Sequence, residues 1–239
     1  MKHALIVWGG WDGHEPRQVG DIVRGMLENH GFSVEVSTSL DSLADVDALR
    51  KLDLIVPVWT MGKIEKEQVE AVSEAVASGV GIAGCHGGMC DAFRESVLWQ
   101  FITGGNWVAH PGGDGVEYVV SVRNSSSHLV EGIRDFTVRS EQYYLHVDPA
   151  VEVLATTRFP VVNWYHSSNN QVDMPVIWTK RWGHGRVFYT SLGHHADVFD
   201  IPEAAETLRR GLLWAAEGKQ IAVDQNRSVD EFASTAKMF

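Results

Sequence analysis

The sequence predicts an α/β fold, a doubly wound parallel sheet with antiparallel strands added to it. In the first half of the chain, short apolar runs alternate with segments whose apolar residues recur at helical spacing, and the links between them are short. In the second half, strand-like runs follow one another with few helices between them. The first pattern is typical of a parallel sheet covered by helices, and the second of antiparallel additions.

In the first half, residues 4–8 form an apolar run that ends at Gly9-Gly10, which indicates a buried first strand. Pro16 stands where the first residue of a helix is expected, and Gly31 closes that helix. Residues 64–77 show the apolar spacing of a second helix. Further strands are predicted at 32–36, 52–58 and 80–83, and a further helix at 89–101.

In the second half, one clear helix is predicted at 204–216, and a polar tail at 224–239 is expected to be loose or to dock on a partner subunit. The sequence contains no Pro/Ser-rich linker and no internal repeat, so residues 1–239 are predicted to form one domain. Strands are predicted at 116–122, 136–140, 151–156, 176–179 and 186–191.

Composition excludes several classes of partner. Lys and Arg number 20 against 31 Asp and Glu, which gives a net charge of −11 and argues against nucleic acid or an anionic membrane. No run of about 18 apolar residues is present, and the N-terminus lacks the features of a signal peptide. Cys85 and Cys90 form no secreted disulfide framework, so a cytoplasmic location is predicted.

A glycine-rich segment, residues 9–16, follows the first strand at the edge where parallel sheets bind ligands. It carries Trp11, His14 and Glu15 just before a helix N-terminus, where free N–H groups favour an anion or a polar oxygen. We predict substrate-binding roles for these three residues. The alternative is an ordinary strand-to-helix loop in which Asp12 or Glu15 serves as a cap.

A second segment, Gly84-Cys85-His86-Gly87-Gly88, has the form of a strained strand-to-helix elbow that exposes its central side chain. The central residue is His86, which suits a metal ligand or a general base better than a nucleophile. Cys85 is one position off the centre. Cys90 follows His86 by four residues, so the two could form a ligand pair on one helix face, although a small buried filler is favoured for Cys90.

Further histidines stand in polar, turn-rich contexts at 110, 146 and 194. If residues 141–146 form a strand, Gln142, Tyr144 and His146 share one face, and Glu141 and Tyr143 share the other. No pair of histidines has the compact spacing of a zinc finger or of an H-E-x-x-H helix, so spacing alone does not identify a metal site. Tryptophans such as Trp11 and Trp107 could stack on a sugar or simply pack.

Together these segments resemble the trehalose-utilisation (ThuA-like) family, and the match covers nearly the whole chain. That resemblance implies the flavodoxin-like fold of the class I glutamine amidotransferase-like superfamily. Its marks are Gly-Gly-x-x-x-His-Glu at 9–15, the elbow at 84–88, and the segments 128–132, 141–146, 175–178, 185–189 and 192–194.

The resemblance also implies what the chain lacks and what it acts on. Glutamine amidotransferases carry Cys at the centre of the elbow, so the presence of His86 predicts no glutaminase activity. The family is associated with disaccharides that a partner oxidoreductase oxidises at C3. This implies an enzyme acting on trehalose-derived or other 3-keto-sugars by isomerisation, epimerisation, or elimination and hydration. A divalent metal, zinc or manganese, could stabilise the enediolate, and no nucleotide cofactor is expected.

Two alternatives to an enzyme acting on keto-sugars stay open: a non-catalytic sugar-binding or regulatory partner of a sugar oxidoreductase, and a hydrolase that uses Cys85 or Cys90. A homo-oligomer is the default expectation.

The keto-sugar chemistry suggests roles for individual residues as hypotheses. The predicted catalytic residues are His86, Glu141 as base and Tyr144 as proton donor. The predicted substrate-binding residues are Trp11, His14, Glu15, Trp107 and His194. The predicted metal ligands are His14, His86, His110 and His146.

Overall fold

The computed structural model describes residues 1–123 and 126–232. The first half alternates strands and helices, as predicted. Its elements are β1 (Lys2–Gly10), α1 (Pro16–Glu28), β2 (Phe32–Ser37), α2 (Val46–Leu49), β3 (Leu54–Thr60), α3 (Lys66–Ala77), β4 (Gly81–Cys85), α4 (Gly87–Cys90) and α5 (Val97–Thr103).

The continuous helix predicted at 89–101 is wrong, because α4 ends at Cys90 and a separate α5 begins at Val97. Phe93, between them, has a left-handed backbone (φ 51°), which a continuing helix excludes. The Ser96 hydroxyl then accepts a hydrogen bond from the Trp99 N–H and starts the new helix. Local side-chain capping therefore overrides the apolar spacing here.

The second half consists mainly of strands. The predicted strands are present, two of them longer than predicted, and the last helix continues to Asp224. Residues 233–239 of the predicted tail lie outside the described residues. The elements are β5 (Gly105–Ala109), β6 (Val116–Val122), β7 (Phe136–Ser140), β8 (Tyr144–Val147), β9 (Glu152–Phe159), β10 (Val172–Trp182), β11 (Gly185–Thr190) and α6 (Pro202–Asp224).

One mixed sheet joins both halves, in the order β2-β1-β3-β4-β11-β10-β9-β6-β7. Strands β2, β1, β3, β4 and β11 are parallel, and the remaining pairs from β11 to β7 are antiparallel. This arrangement confirms the predicted fold class. A separate antiparallel pair, β5 with β8, lies outside the main sheet. No sequence pattern predicted β5.

Alternate residues of the parallel strands pack into two apolar layers, one on each face of the sheet. Ile6 of β1 packs with residues of α1 and α6, whereas Leu5 packs with residues of α3 and α5. Both side chains are almost fully buried, and such burial contributes roughly 1.5–3 kcal/mol for each large apolar side chain. Among the described residues, no helix combines the length and the apolar character needed to cross a bilayer.

The topology brings distant loops to one edge of the sheet. The chain runs from β1 outward to β2 and then returns to β3 on the other side of β1. Ligands bind in open parallel sheets beyond the carboxyl ends of the strands, near such a reversal. The ends of β1, β3, β4 and β11 therefore place the segments beginning at Trp11, Met61, His86 and Ser191 around one common space.

Candidate functional site

Three histidines and one glutamate converge at this edge of the sheet. His14 follows β1, His86 follows β4, and His194 follows β11, while Glu141 comes from the link between β7 and β8. All four residues are buried, and one donor atom of each lies within 4.8 Å of the others. We call these four residues the His/Glu cluster.

One carboxylate oxygen, Oε2 of Glu141, is the point of convergence. It lies 3.2 Å from Nε2 of His86, 3.3 Å from Nδ1 of His194 and 3.7 Å from Nε2 of His14. The imidazole ring centroids are 4.6–5.5 Å apart. Three imidazole nitrogens therefore face the same oxygen from different directions.

The backbone of His86 holds an unusual conformation, with φ 45° and ψ −139°. Its N–H donates to the carbonyl oxygen of Thr190 at 2.7 Å, and its own carbonyl accepts from the Tyr189 hydroxyl at 3.1 Å. The ring Nδ1 is 2.8 Å from the carbonyl oxygen of Ser191. These contacts with β11 and the residue after it hold the strained elbow and orient the ring toward Glu141.

The protonation state of His86 follows from its burial. Burial lowers the pKa of His86 to about 4, because lost hydration outweighs the opposing hydrogen bond to Glu141. The ring is therefore neutral at pH 7 and carries one proton. Both ring nitrogens face oxygens that only accept, the Ser191 carbonyl at 2.8 Å from Nδ1 and the Glu141 carboxylate at 3.2 Å from Nε2, so one of the two nitrogens faces its oxygen without a proton.

His14 is held by a side chain at the end of β3. Its Nδ1 lies 2.8 Å from the hydroxyl oxygen of Thr60, which leaves Nε2 facing Glu141. Gly87 makes room for the ring, since a Cβ at that position would lie 2.5 Å from Nδ1 of His14. The glycine of the elbow is thus required by a residue more than seventy positions earlier in the chain.

His194 links the cluster to the surface. Its Nδ1 faces Glu141, and its Nε2 lies 3.7 Å from a carboxylate oxygen of Asp114. Burial alone would lower the pKa of His194, but the hydrogen bond to Glu141 and the nearby carboxylate charges raise it overall. His195 lies between Asp114 at 3.4 Å and Glu15 at 3.5 Å, so a chain of carboxylates and imidazoles extends outward.

Glu141 is 5% exposed, and its main-chain carbonyl accepts a hydrogen bond from the buried Tyr118 hydroxyl. Burial raises the pKa of Glu141, but hydrogen bonds with His14, His194 and His86 lower it by more. The pKa of Glu141 therefore lies well below its usual range. The carboxylate is therefore charged at neutral pH. Its other oxygen, Oε1, lies 3.5 Å from Nε2 of His110.

The site also contains Tyr143, to which the sequence analysis gave no role. Its ring stacks on His86 with centroids 3.9 Å apart, and its hydroxyl is buried without a hydrogen-bond partner among the described residues. Glu141 and Tyr143 had been predicted to share a face, so alternation could have identified Tyr143. Tyr144 instead packs against Phe159 and His166.

The other predicted site residues divide into two groups. Trp11, about half exposed, places its ring edge against His14 with centroids 4.7 Å apart, and Glu15 accepts from the Ala196 N–H at 2.9 Å. Trp107 lies near Tyr143, with centroids 6.4 Å apart. His146, by contrast, is exposed on β8, paired with Asn106, and is not among the converging donors.

The four residues of the His/Glu cluster could hold a cation, because each offers one nitrogen or oxygen ligand atom to the same space. Nitrogen and oxygen ligands lie about 2.0–2.2 Å from zinc, which separates tetrahedral ligands by roughly 3.4 Å. The observed separations from Oε2, 3.2 to 3.7 Å, match that spacing.

Comparison with known proteins agrees with the fold. A solved ThuA-like protein from Bacteroides uniformis superposes with a TM-score of 0.73 at 18% identity, covering 90% of this chain and 91% of that one. A ThuA-like protein from Parabacteroides merdae superposes with a TM-score of 0.70 at 20% identity, covering 92% of this chain and 91% of that one. A cytoplasmic protein from Salmonella typhimurium superposes with a TM-score of 0.64 at 12% identity, covering 90% of this chain and 99% of that one. No curated protein matches the sequence.

Fold and site together define an α/β protein with a buried His/Glu cluster at the carboxyl edge of its parallel strands. The sequence model of the family described as "ThuA: Trehalose utilisation" matches residues 3–215. The chain therefore belongs to the ThuA family, which confirms the resemblance inferred from the sequence.

The two cysteines do not contribute to the His/Glu cluster. Cys85 and Cys90 are free and buried, at 2% and 1% exposure. Burial raises the pKa of Cys85 to about 12 and also raises the pKa of Cys90. A nucleophilic cysteine needs an accessible thiolate, so both thiols have the environment of inert, structural side chains.

We expect both thiols to resist labelling in the native protein. With a pKa near 12 for Cys85, only about one thiol in 10⁴ is ionised at pH 8. Native protein treated with a chromogenic disulfide reagent at pH 8 should release almost no colour within minutes, while denatured protein should react at both cysteines. Rapid labelling of the native chain, with loss of activity, would revive the cysteine hydrolase hypothesis.

Proposed function

We propose that this protein is an enzyme that acts on a 3-keto-sugar, and that the His/Glu cluster holds a divalent metal ion that assists the reaction. The observation that carries the proposal is the convergence of three imidazole nitrogens on one charged carboxylate oxygen. Membership of a family described by trehalose utilisation supports a sugar as the substrate.

Each imidazole has a partner suited to a ligand role. Metal-binding histidines usually donate their second ring N–H to a carbonyl, hydroxyl or carboxylate, which fixes the tautomer. Here the Ser191 carbonyl is positioned to receive that proton from His86, the Thr60 hydroxyl is positioned to receive it from His14, and Asp114 lies on the far side of His194. A divalent ion bound there supplies positive charge that stabilises negative charge developing on the sugar carbonyl oxygen.

A 3-keto-sugar offers the acidic proton that this site can use. Removal of the proton on C2 leaves a negative charge shared with the C3 oxygen. The proton can return to a different carbon or face, which isomerises or epimerises the sugar. Alternatively, the electron pair can form a C1–C2 double bond while the glycosidic bond from C1 breaks and the leaving oxygen takes a proton. The arrangement of residues is compatible with both outcomes.

We assign the base to His110 rather than to Glu141, the residue that the sequence suggested. A general base works best when its pKa is close to the working pH, and the pKa of Glu141 is held far below it. His110 is partly exposed, and its Nε2 faces the second oxygen of Glu141 at 3.5 Å. A proton on Nε2 would leave Nδ1, which has no partner among the described residues, free to accept one.

We assign the proton donor to Tyr143. Burial raises the pKa of its hydroxyl well above the usual value, so the group keeps its proton at neutral pH. Its ring lies flat against His86, and its hydroxyl is buried without a partner among the described residues. A buried donor of this kind is costly unless a ligand satisfies it, which favours a substrate oxygen at this position.

The proposed reaction requires that another enzyme first oxidise the sugar. A ketone at C3 of a sugar must come from oxidation of the alcohol, so a sugar oxidoreductase is the proposed functional partner. Cytoplasmic location and homo-oligomerisation stay as proposals beside it.

Replacement of His86 tests the metal and the reaction together. The variant His86→Ala should lose the ion, and its turnover of a 3-keto-glucoside should fall to background, because one ligand of the cluster is gone. Elemental mass spectrometry of untagged protein, purified without chelator, should find about one divalent ion per wild-type chain. The matched control His146→Ala should keep both metal and activity. Full activity in His86→Ala, or equal losses in both variants, would overturn the proposal.

The hydroxyl behind His14 gives a second test. Thr60→Val removes the partner of Nδ1 while keeping the shape of a side chain that is 2% exposed. Loss of an outer partner of this kind typically costs about 10–100-fold in metal affinity. Thr60→Ser retains a hydroxyl and should stay close to the wild type. Competition with a chromogenic chelator measures both affinities, and identical values for the two variants would contradict the role given to Thr60.

Phenylalanine replacements separate the two neighbouring tyrosines. Tyr143→Phe should reduce kcat by about 10²–10⁴, the usual contribution of a positioned proton donor, while metal content stays unchanged. Tyr144→Phe should remain near wild-type activity, because Tyr144 packs against Phe159 away from the cluster. Steady-state kinetics on a 3-keto-glucoside measure both variants. The reverse pattern would favour Tyr144, the residue suggested by the sequence.

A further inference from the structure

A second group of ligand side chains lies against the His/Glu cluster on its solvent side. It consists of Asp114, His194 and His195, and one ligand atom of each lies within 4.8 Å of the others. Asp114 belongs to the link between β5 and β6, while the two histidines follow β11. We call these three residues the outer group. His194 belongs to both groups, so the outer group adjoins the His/Glu cluster directly.

The separations in the outer group suit one divalent ion. The carboxylate oxygens of Asp114 lie 3.7 Å from Nε2 of His194 and 3.4 Å from Nε2 of His195. Two ligand atoms of one tetrahedral zinc ion are separated by roughly 3.4 Å. Imidazole nitrogen and carboxylate oxygen are also ligand types that zinc and similar divalent ions accept.

A further carboxylate orients His195 for a ligand role. Oε1 of Glu15 lies 3.5 Å from Nδ1 of His195, and Oε2 of Glu15 accepts a hydrogen bond from the N–H of Ala196 at 2.9 Å. His195 therefore has a carboxylate beside each ring nitrogen, whereas a neutral imidazole has only one N–H. With the proton on Nδ1 beside Glu15, an ion can join Nε2 to Asp114, which is the arrangement usual for metal-binding histidines.

The two groups differ in exposure and in the number of ligands. All four residues of the His/Glu cluster are buried, whereas the Asp114 side chain is 53% exposed and that of His195 is 37% exposed. The outer group therefore meets solvent directly, and it offers three ligand atoms against four. Fewer protein ligands and access of water to the open side favour fast release. These are the properties of a site that holds an ion briefly.

His194 serves one group at a time, because a neutral imidazole has one lone pair and one N–H. When its Nε2 lone pair faces the outer group, the Nδ1 proton faces Glu141 at 3.3 Å. When its Nδ1 lone pair faces the His/Glu cluster, the Nε2 proton faces Asp114. An ion therefore occupies the two groups in turn. The carboxylates of Glu15, Asp114 and Glu141 attract a cation along this path.

We propose that the outer group is the loading site for the metal ion, which captures a hydrated divalent cation from solvent and transfers it to the His/Glu cluster through His194. In the transfer, the bond from the ion to Nε2 of His194 breaks and a bond to Nδ1 forms. The ring proton leaves Nδ1 and a proton returns to Nε2 by exchange with solvent, and the charge of the ion does not change. The inference rests on the metal of the proposed function, but not on the sugar or the reaction.

The kinetics of cobalt association test the loading site. Metal-free protein, prepared with a chelator, is mixed with Co²⁺ alone in a stopped-flow instrument, and the visible absorption of protein-bound cobalt is followed. Asp114→Asn and His195→Ala should each lower the association rate constant by at least about tenfold. Release of cobalt to excess chelator should slow by the same factor, because both directions use the loading site. The dissociation constant should therefore stay unchanged.

Two comparisons separate ligation from attraction by charge. Asp12→Asn removes a carboxylate from an exposed residue two positions before His14 that is outside the outer group, and it should associate at nearly the wild-type rate. His195→Ala removes a ligand and leaves the number of carboxylates unchanged. Equal slowing in Asp12→Asn and Asp114→Asn, with His195→Ala at the wild-type rate, would show attraction by charge alone and overturn the loading site.

The remaining outcomes separate this inference from the proposed function. One cobalt ion per chain, with wild-type association in Asp114→Asn and His195→Ala, overturns the loading site and leaves the metal of the proposed function in place. Faster release with unchanged association assigns these residues to the final site, which also overturns it, as do two ions per wild-type chain at equilibrium. A wild type that binds no cobalt overturns both metal proposals. Slowing in these two variants alone supports the loading site, even if no sugar is turned over.

Discussion

The structure depends on one buried charge, the carboxylate of Glu141. Removing a carboxylate from water is expensive, and the cost is tolerable only when several partners replace the lost hydration. Here His14, His86 and His194 face one oxygen, and His110 faces the other. Three of the four loops at this edge of the sheet, those after β1, β4 and β11, each deliver one imidazole to the same carboxylate.

That requirement explains the strain at the elbow. A non-glycine residue in a sparsely populated backbone region costs about 1–3 kcal/mol and persists only where its surroundings hold it. His86 is held through its N–H, its carbonyl and its ring nitrogen by Thr190, Tyr189 and Ser191. The elbow that presents a nucleophile in other α/β proteins here presents an imidazole nitrogen to a carboxylate. In the proposed function the same backbone conformation serves a metal ligand in place of a nucleophile.

The site also joins the two halves of the fold. The three histidines of the cluster come from the parallel half, whereas Glu141 and Tyr143 come from the link between the antiparallel strand β7 and the small β5–β8 pair. The antiparallel addition is thus more than an extension of the sheet, since it supplies the negative charge and the aromatic ring against His86. A pocket lined by residues 107–112 and 162–164 lies between the end of β5 and the segment after β9.

Sequence patterns by themselves determined the parallel half of the fold and the elbow at His86, and they placed His14 and Glu141 among the candidate site residues, because apolar spacing, glycine position and strand ends are local properties. The sequence also indicated that Glu141 and Tyr143 share a face. Only the tertiary structure decided which histidines meet: His194 joins the cluster, whereas His146 is exposed on β8. Convergence of residues from four separate segments depends on strand order and register, and these are set by packing over the whole sheet rather than by any local pattern.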